Sequence, residues 1–131
     1  MLNAFDRWSS YQSEFRSVLR IMTGLLLMQH GTQKLFNFPD AAKGAAELMS
    51  LQGLAGVIEF FGGALFVIGL FTRPVAFLLC GFTAVAYWMV HGPKSFYPIM
   101  NGGELAALYC FVFLYFIAAG PGVWSLDEKR G

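Results

Sequence analysis

The stretch LLLMQHGTQKLF, Leu25 to Phe36, opens like the middle of a membrane-spanning helix and closes with a histidine and a lysine four residues apart. Each ionisable group placed near mid-bilayer costs on the order of 3 kcal/mol on insertion scales, so His30 and Lys34 are expected to face the inside of a helical bundle and not lipid. There they are expected to meet acidic partners near one membrane surface. Composition points the same way. The 131 residues are 56% hydrophobic and only 13% charged, with a mean hydropathy of +0.56, whereas soluble domains run nearer about a quarter charged. Fourteen Phe residues suit a lipid-facing surface better than a small soluble core. The net charge of +1, with no polybasic run, gives no sign of a nucleic-acid partner. The expectation is an integral membrane protein of one domain.

Outward from that stretch, four apolar segments stand out, at about residues 18–36, 54–71, 74–91 and 104–119. Each is close to the minimum for crossing a hydrocarbon core about 30 Å thick. NFPD follows the first, FTRP separates the second from the third, HGPKSFYP and NGG precede the fourth, and GPG closes it. Lipid obliges each segment to satisfy its own backbone hydrogen bonds, which selects helices. Short connections imply antiparallel neighbours. The reading is an all-α, up-down-up-down four-helix bundle.

Before the first segment, Phe5, Trp8, Phe15 and Leu19 recur at roughly helical spacing, as in a short amphipathic helix lying on a membrane surface; a frayed polar tail is the alternative. DAAKGAAELMSLQG, after Pro39, suggests a second short helix. Arg16 and Arg20 precede the first apolar run as they would in a signal peptide. The run passes into QHGTQK without a small-residue cleavage site, so it is read as retained. With four spans, one side of the membrane holds Arg7, Arg16, Arg20, Arg73, Lys129 and Arg130, and the other Lys34, Lys43 and Lys94. That bias places both termini in the cytoplasm. Arg20 and Arg73 read as snorkelling to the cytoplasmic head groups, and Trp88, Tyr97 and Trp124 as interfacial belt residues. Cys80 and Cys110 fall in opposite halves of this topology, as small buried hydrophobes too far apart to pair.

The same topology gathers the remaining ionisable residues at one depth. His30 and Lys34 end the first span on the outer side, Glu59 lies near the outer end of the second, His91 ends the third and Glu104 begins the fourth. Thr23, His30 and Lys34 share one helical stripe, and Thr83, Tyr87 and His91 another. Gly56 and Gly63 flank Glu59, where small residues let a neighbouring backbone approach. Such a set can bind a carbonyl-bearing ligand, relay protons, or lock helix register through Lys34 pairing with Glu59 or Glu104. A quinone head group needs donors to two carbonyl oxygens and protons once reduced; His30, Lys34 and His91 can supply both. A metal or haem site lacks any paired His/Glu spacing on one helix, so no metal ligand is assigned.

These residues resemble the DoxX family of small membrane proteins. The resemblance rests on Arg20 with HG..KLF (His30, Gly31, Lys34, Leu35, Phe36), E..GG.....GL.TR (Glu59, Gly62, Gly63, Gly69, Leu70, Thr72, Arg73), NGGE (Asn101 to Glu104) and GPG..SLD (Gly120 to Asp127). It runs in order from Arg20 to Asp127. It implies a four-helix protein of the bacterial inner membrane, with functional residues His30, Lys34, Glu59 and Glu104. It further implies links to thiosulfate:quinone oxidoreductase or to other membrane oxidoreductase complexes. Thiosulfate as substrate does not transfer with the fold, and the chain carries no cofactor motif of its own, so a redox centre would come from a partner. The expected function is a membrane subunit of a quinone-linked redox system, in a complex or a homo-oligomer. The alternatives are a non-catalytic anchor or assembly partner and, more weakly, a small-solute transporter.

Overall fold

The computed structural model describes residues 3–40 and 44–130. Among these residues every regular element is helical: α1 (Gln12–Phe36), α2 (Leu51–Ile68), α3 (Thr72–Ala86), α4 (Pro98–Asn101), α5 (Glu104–Ala119) and α6 (Leu126–Arg130). The chain divides into two compact units. One comprises Met1–Phe71 with Pro121–Gly131, the other Thr72–Gly120.

In the first unit α1 and α2 are antiparallel, because Gly24 lies against Gly63 and Val67 while Gly31 lies against Phe60 and Gly56. The approach is close enough that a side chain on these glycines would collide. A Cβ on Gly31 would stand 2.6 Å from the Phe60 nitrogen, and one on Gly24 2.9 Å from the Gly63 oxygen. The buried face of α2 is accordingly Gly53, Gly56, Glu59, Gly63 and Phe66, and that of α1 includes Arg20, Thr23, Gly24, Leu27 and Gly31. The Ser50 hydroxyl caps α2 by accepting from the Gly53 amide at 3.0 Å. At the other end Gly69 turns left-handed, at φ +70°, where a missing Cβ removes the steric penalty. That turn ends α2 at Ile68, three residues before the expected boundary.

The N-terminal amphipathic helix expected from the aromatic spacing is a tighter 3₁₀ turn, Asp6–Tyr11, that runs into α1. Its aromatic residues are exposed nonetheless, with Trp8 and Tyr11 each packed on Phe15 at centroid distances of 5.8 and 6.1 Å. The second short helix suggested after Pro39 is not helical over residues 44–47. Its residues 41–43, Lys43 of the charge count among them, lie outside the described residues.

In the second unit α3 and α5 are antiparallel neighbours. Gly103, at the start of α5, lies beside Tyr87 and His91, and Gly120, at its end, lies beside the Arg73 guanidinium. The buried side chains are Thr72, Val75, Ala76, Leu79 and Thr83 from α3 and Tyr109, Phe113 and Phe116 from α5. Pro74 sits in the first turn of α3, where its missing N–H forfeits no helical bond. Beyond Ala86 the helix widens to a π turn over Tyr87–His91 and tightens to a 3₁₀ turn over Gly92–Lys94.

Two helical runs are long and apolar enough to cross a membrane: Leu51–Ile68, of mean hydropathy 1.8, and Thr72–Lys94, of 1.6. Only 28% and 22% of those windows are buried, whereas the core helix of a soluble protein would be mostly covered. The α5 helix is apolar over 16 residues. The α1 helix is 25 residues long, but Gln29, His30, Gln33 and Lys34 dilute its hydropathy. Of the four spans expected from sequence, two therefore qualify by length and hydropathy together.

Candidate functional site

The antiparallel register of α1 and α2 decides which ionisable groups meet in the first unit. With Gly31 seated against Gly56 and Phe60, the next turn of α1 brings Lys34 to the buried face of α2. Lys34 Nζ donates to Glu59 Oε1 at 2.6 Å. The missing side chain of Gly56 makes room for this approach, since its Cβ position lies 3.0 Å from Lys34 Cβ. The Glu59 side chain is 8% exposed and that of Lys34 29%, so the carboxylate lies inside the seam and the ammonium at its margin. His30 is half-buried one turn before Lys34 on the same helix. Of the two partners open to Lys34 in the sequence, the structure shows Glu59.

In the second unit the π turn carries Tyr87 and His91. His91 Nδ1 lies 3.0 Å from the Asn101 carbonyl oxygen. The buried Asn101 side chain organises the connection between α3 and α5. Its Nδ2 donates to Tyr87 Oη and to the Ser95 oxygen, each at 3.0 Å, and its Oδ1 accepts from the Gly103 amide at 2.8 Å. Extra residues of this kind in a helix recur at functional positions. Glu104 opens α5, where its charge suits the helix N-terminus. It is exposed, on a groove shared with Pro98, Leu105, Leu108 and Phe111. The structure thus joins Lys34 to Glu59 and His91 to Asn101, each within its own unit.

Three features escaped the sequence reading. Arg20 does not snorkel: it is fully buried. Its guanidinium donates to the carbonyl oxygens of Phe66 at 2.9 Å and Val67 at 3.3 Å, near the C-terminus of α2, and to those of Pro121 and Trp124. Five N–H donors in a planar fork suit such a cluster of carbonyls as a lysine could not. The second feature is the closing GPG..SLD segment, which docks on the same end of the unit. The Trp124 amide donates to Ser17 Oγ at 3.0 Å, and the Phe71 amide to Asp127 Oδ1 at 2.8 Å. Third, the expectation that Cys80 and Cys110 lie too far apart to pair is overturned: their sulfurs stand 3.8 Å apart. Both fall near the middle of antiparallel helices, where assigning a residue to one half of the membrane is sensitive to a single turn. Of these only Arg20 carried a signal, an arginine placed within a glycine-rich helical face.

A model of the DoxX family matches residues 15–92. An uncharacterized protein of Haemophilus influenzae is 41% identical over 124 residues, covering 91% of this chain and 92% of its own. An uncharacterized membrane protein of Mycobacterium tuberculosis is 29% identical over 138 residues, covering 85% of this chain and 78% of its own. No solved structure matches.

Proposed function

The chain belongs to the DoxX family of membrane proteins, and from that premise we propose that it is a subunit of a quinone-linked redox system that seats a quinone head group at Lys34 and Glu59. The observation that supports this reading most directly is the ion pair itself, held in a glycine-lined seam with the partly exposed ammonium at its margin. In the proposal α1, α2, α3 and α5 are the four spans of an up-down-up-down bundle in the inner membrane, with both termini cytoplasmic.

Lys34 Nζ carries three N–H bonds, of which one serves Glu59. Another can reach the carbonyl oxygen of a bound quinone, where negative charge develops on reduction and a fixed ammonium stabilises it. Glu59 then holds the counter-charge and takes or returns a proton. His30, one turn away, has an imidazole that can pass a proton between its two ring nitrogens. The electron donor would be a partner protein.

The closeness of the pair favours a second reading, a non-catalytic membrane anchor in which Lys34 and Glu59 satisfy each other and fix helix register. A charge swap separates the two. In lipid nanodiscs, native mass spectrometry with a short-chain benzoquinone should show one adduct on the native chain, at least tenfold weaker in Glu59→Gln. In the doubly exchanged Lys34→Glu/Glu59→Lys chain the pair is restored but its polarity is reversed. A folded swapped chain without the adduct supports the quinone site; equal adducts in all three chains, or none in the native one, would leave only the register device.

A further inference from the structure

We propose that Cys80 and Cys110 are a redox-active dithiol that closes to a disulfide inside one chain when a lipid-soluble quinone takes up its two hydrogens. The two thiols come from different helices of the second unit, α3 and α5, and their sulfurs are 3.8 Å apart. They are in van der Waals contact, so side-chain torsion and a small helix adjustment suffice to bring them to the roughly 2.05 Å of an S–S bond. Both are free and partly exposed, so a reagent can reach them. The neighbouring Gly81 leaves the surface beside Cys80 open: a Cβ placed there would meet nothing within 4 Å.

The surroundings select the oxidant. Phe77 and Leu78 precede Cys80, Leu108 and Phe111 flank Cys110, and all four expose most of their apolar surface. Cys80 lies within Thr72–Lys94, a run long and apolar enough to cross a membrane. Glutathione and other charged thiol reagents are excluded from hydrocarbon, so the acceptor has to be soluble in lipid. A metal is a poor alternative, because among the described residues no third His, Cys, Asp or Glu gathers about the pair. The step balances with a quinone alone. Two S–H bonds break, one S–S bond forms, and both protons and both electrons pass to the two carbonyl oxygens, giving the quinol. This assignment shares the quinone class with the Lys34–Glu59 reading and none of its residues, so either can fail alone.

The test uses the full chain in lipid nanodiscs, reduced and freed of reductant, then exposed to a decyl-tailed benzoquinone whose ring positions are all substituted, so that thiols cannot add to it. Acid quenching, alkylation under denaturing conditions and intact mass follow. The expected product is a monomer about 2 Da lighter than the reduced chain that takes no alkylating group, as two lost hydrogens and one closed disulfide require. Digestion should yield the Cys80 and Cys110 peptides linked. Cys80→Ser and Cys110→Ser chains, each with one thiol left, should be alkylated fully and lose no mass. A native chain that stays doubly alkylated after quinone treatment overturns the assignment. So does oxidation that proceeds equally in the single-serine chains or yields cross-linked dimers.

Discussion

The two units hold their helices together by opposite means. Between α1 and α2 the contact face is glycine, with Gly24, Gly31, Gly56 and Gly63 bringing backbone to backbone. In the α3 and α5 unit the buried positions are filled by side chains, Val75, Leu79, Tyr109, Phe113 and Phe116. Close backbones leave polar side chains short distances to span, and the first unit buries Ser17, Arg20, Thr23 and Glu59. In the second unit the buried polar side chains of the helices are the uncharged Thr72 and Thr83, and the larger polar network sits at the connection around Asn101. Small-residue packing is the usual route to helix association in lipid, where apolar side chains gain little by leaving the bilayer. The comparison teaches that buried charge is carried where glycines let backbone meet backbone.

The largest effect expected is at Arg20. Arg20→Met keeps much of the volume but strips the donor from the carbonyls of Phe66, Val67, Pro121 and Trp124. The Phe66 oxygen keeps the Gly69 amide at 3.2 Å, and each of the other three acceptors left without a donor costs about 1–3 kcal/mol, so a total loss of roughly 4 kcal/mol is expected after partial resolvation. Unfolding in mixed micelles should register it, and hydrogen exchange at the Trp124 and Asp127 amides should rise as the closing segment loosens. Unchanged exchange there would mean that Ser17 and Asp127 hold the segment without the arginine.

Next is the seam itself. Gly31→Leu puts a branched side chain where even a Cβ is 2.6 Å from backbone, and overpacking of this kind costs typically 1–3 kcal/mol or more. Since the helices must separate to admit it, the Lys34–Glu59 contact should be lost with the stability. Lys34→Met leaves Glu59 buried alone. Breaking a buried pair costs about 3–5 kcal/mol, and the partial exposure of Lys34 reduces the expectation to about 2 kcal/mol. Lys34→Met/Glu59→Gln should recover most of that loss, and a double cycle without coupling would rule out the pair as a register device.

How much of this could be read from the sequence follows from the same contrast. Apolar length and punctuation give elements: α5 occupies residues 104–119 as expected, while α2 stops early because Gly69 can turn left-handed and Phe71, at φ +52°, follows it. Helical periodicity gives faces, and it placed Lys34, Gly56 and Glu59 where partners were needed. Periodicity cannot give register, the sliding of one helix along another. That left Lys34 with two possible acids, and it put Cys80 and Cys110 at different depths when their sulfurs are in contact. The burial of Arg20 escapes periodicity for a related reason. Its acceptors are carbonyls near the end of α2 and in the closing segment, backbone groups that no residue type announces.

The smallest effect expected is also the cleanest contrast between the units. Gly31 and Gly81 both lie within helices, and in each case alanine gains up to about 1 kcal/mol of intrinsic helix propensity over glycine. At Gly81 nothing lies within 4 Å of the added methyl, so Gly81→Ala should stabilise the chain by a few tenths of a kcal/mol to about 1 kcal/mol. At Gly31 the same methyl would meet the Phe60 nitrogen and the Gly56 oxygen, which belong to backbone and cannot rotate aside. Gly31→Ala should therefore be destabilising despite its propensity gain. Opposite signs for one chemical change would establish that close approach, and not helix content, is what the α1 and α2 glycines provide. Equal signs would mean that the seam relaxes to admit a methyl, and then the Lys34–Glu59 contact would not depend on glycine at all.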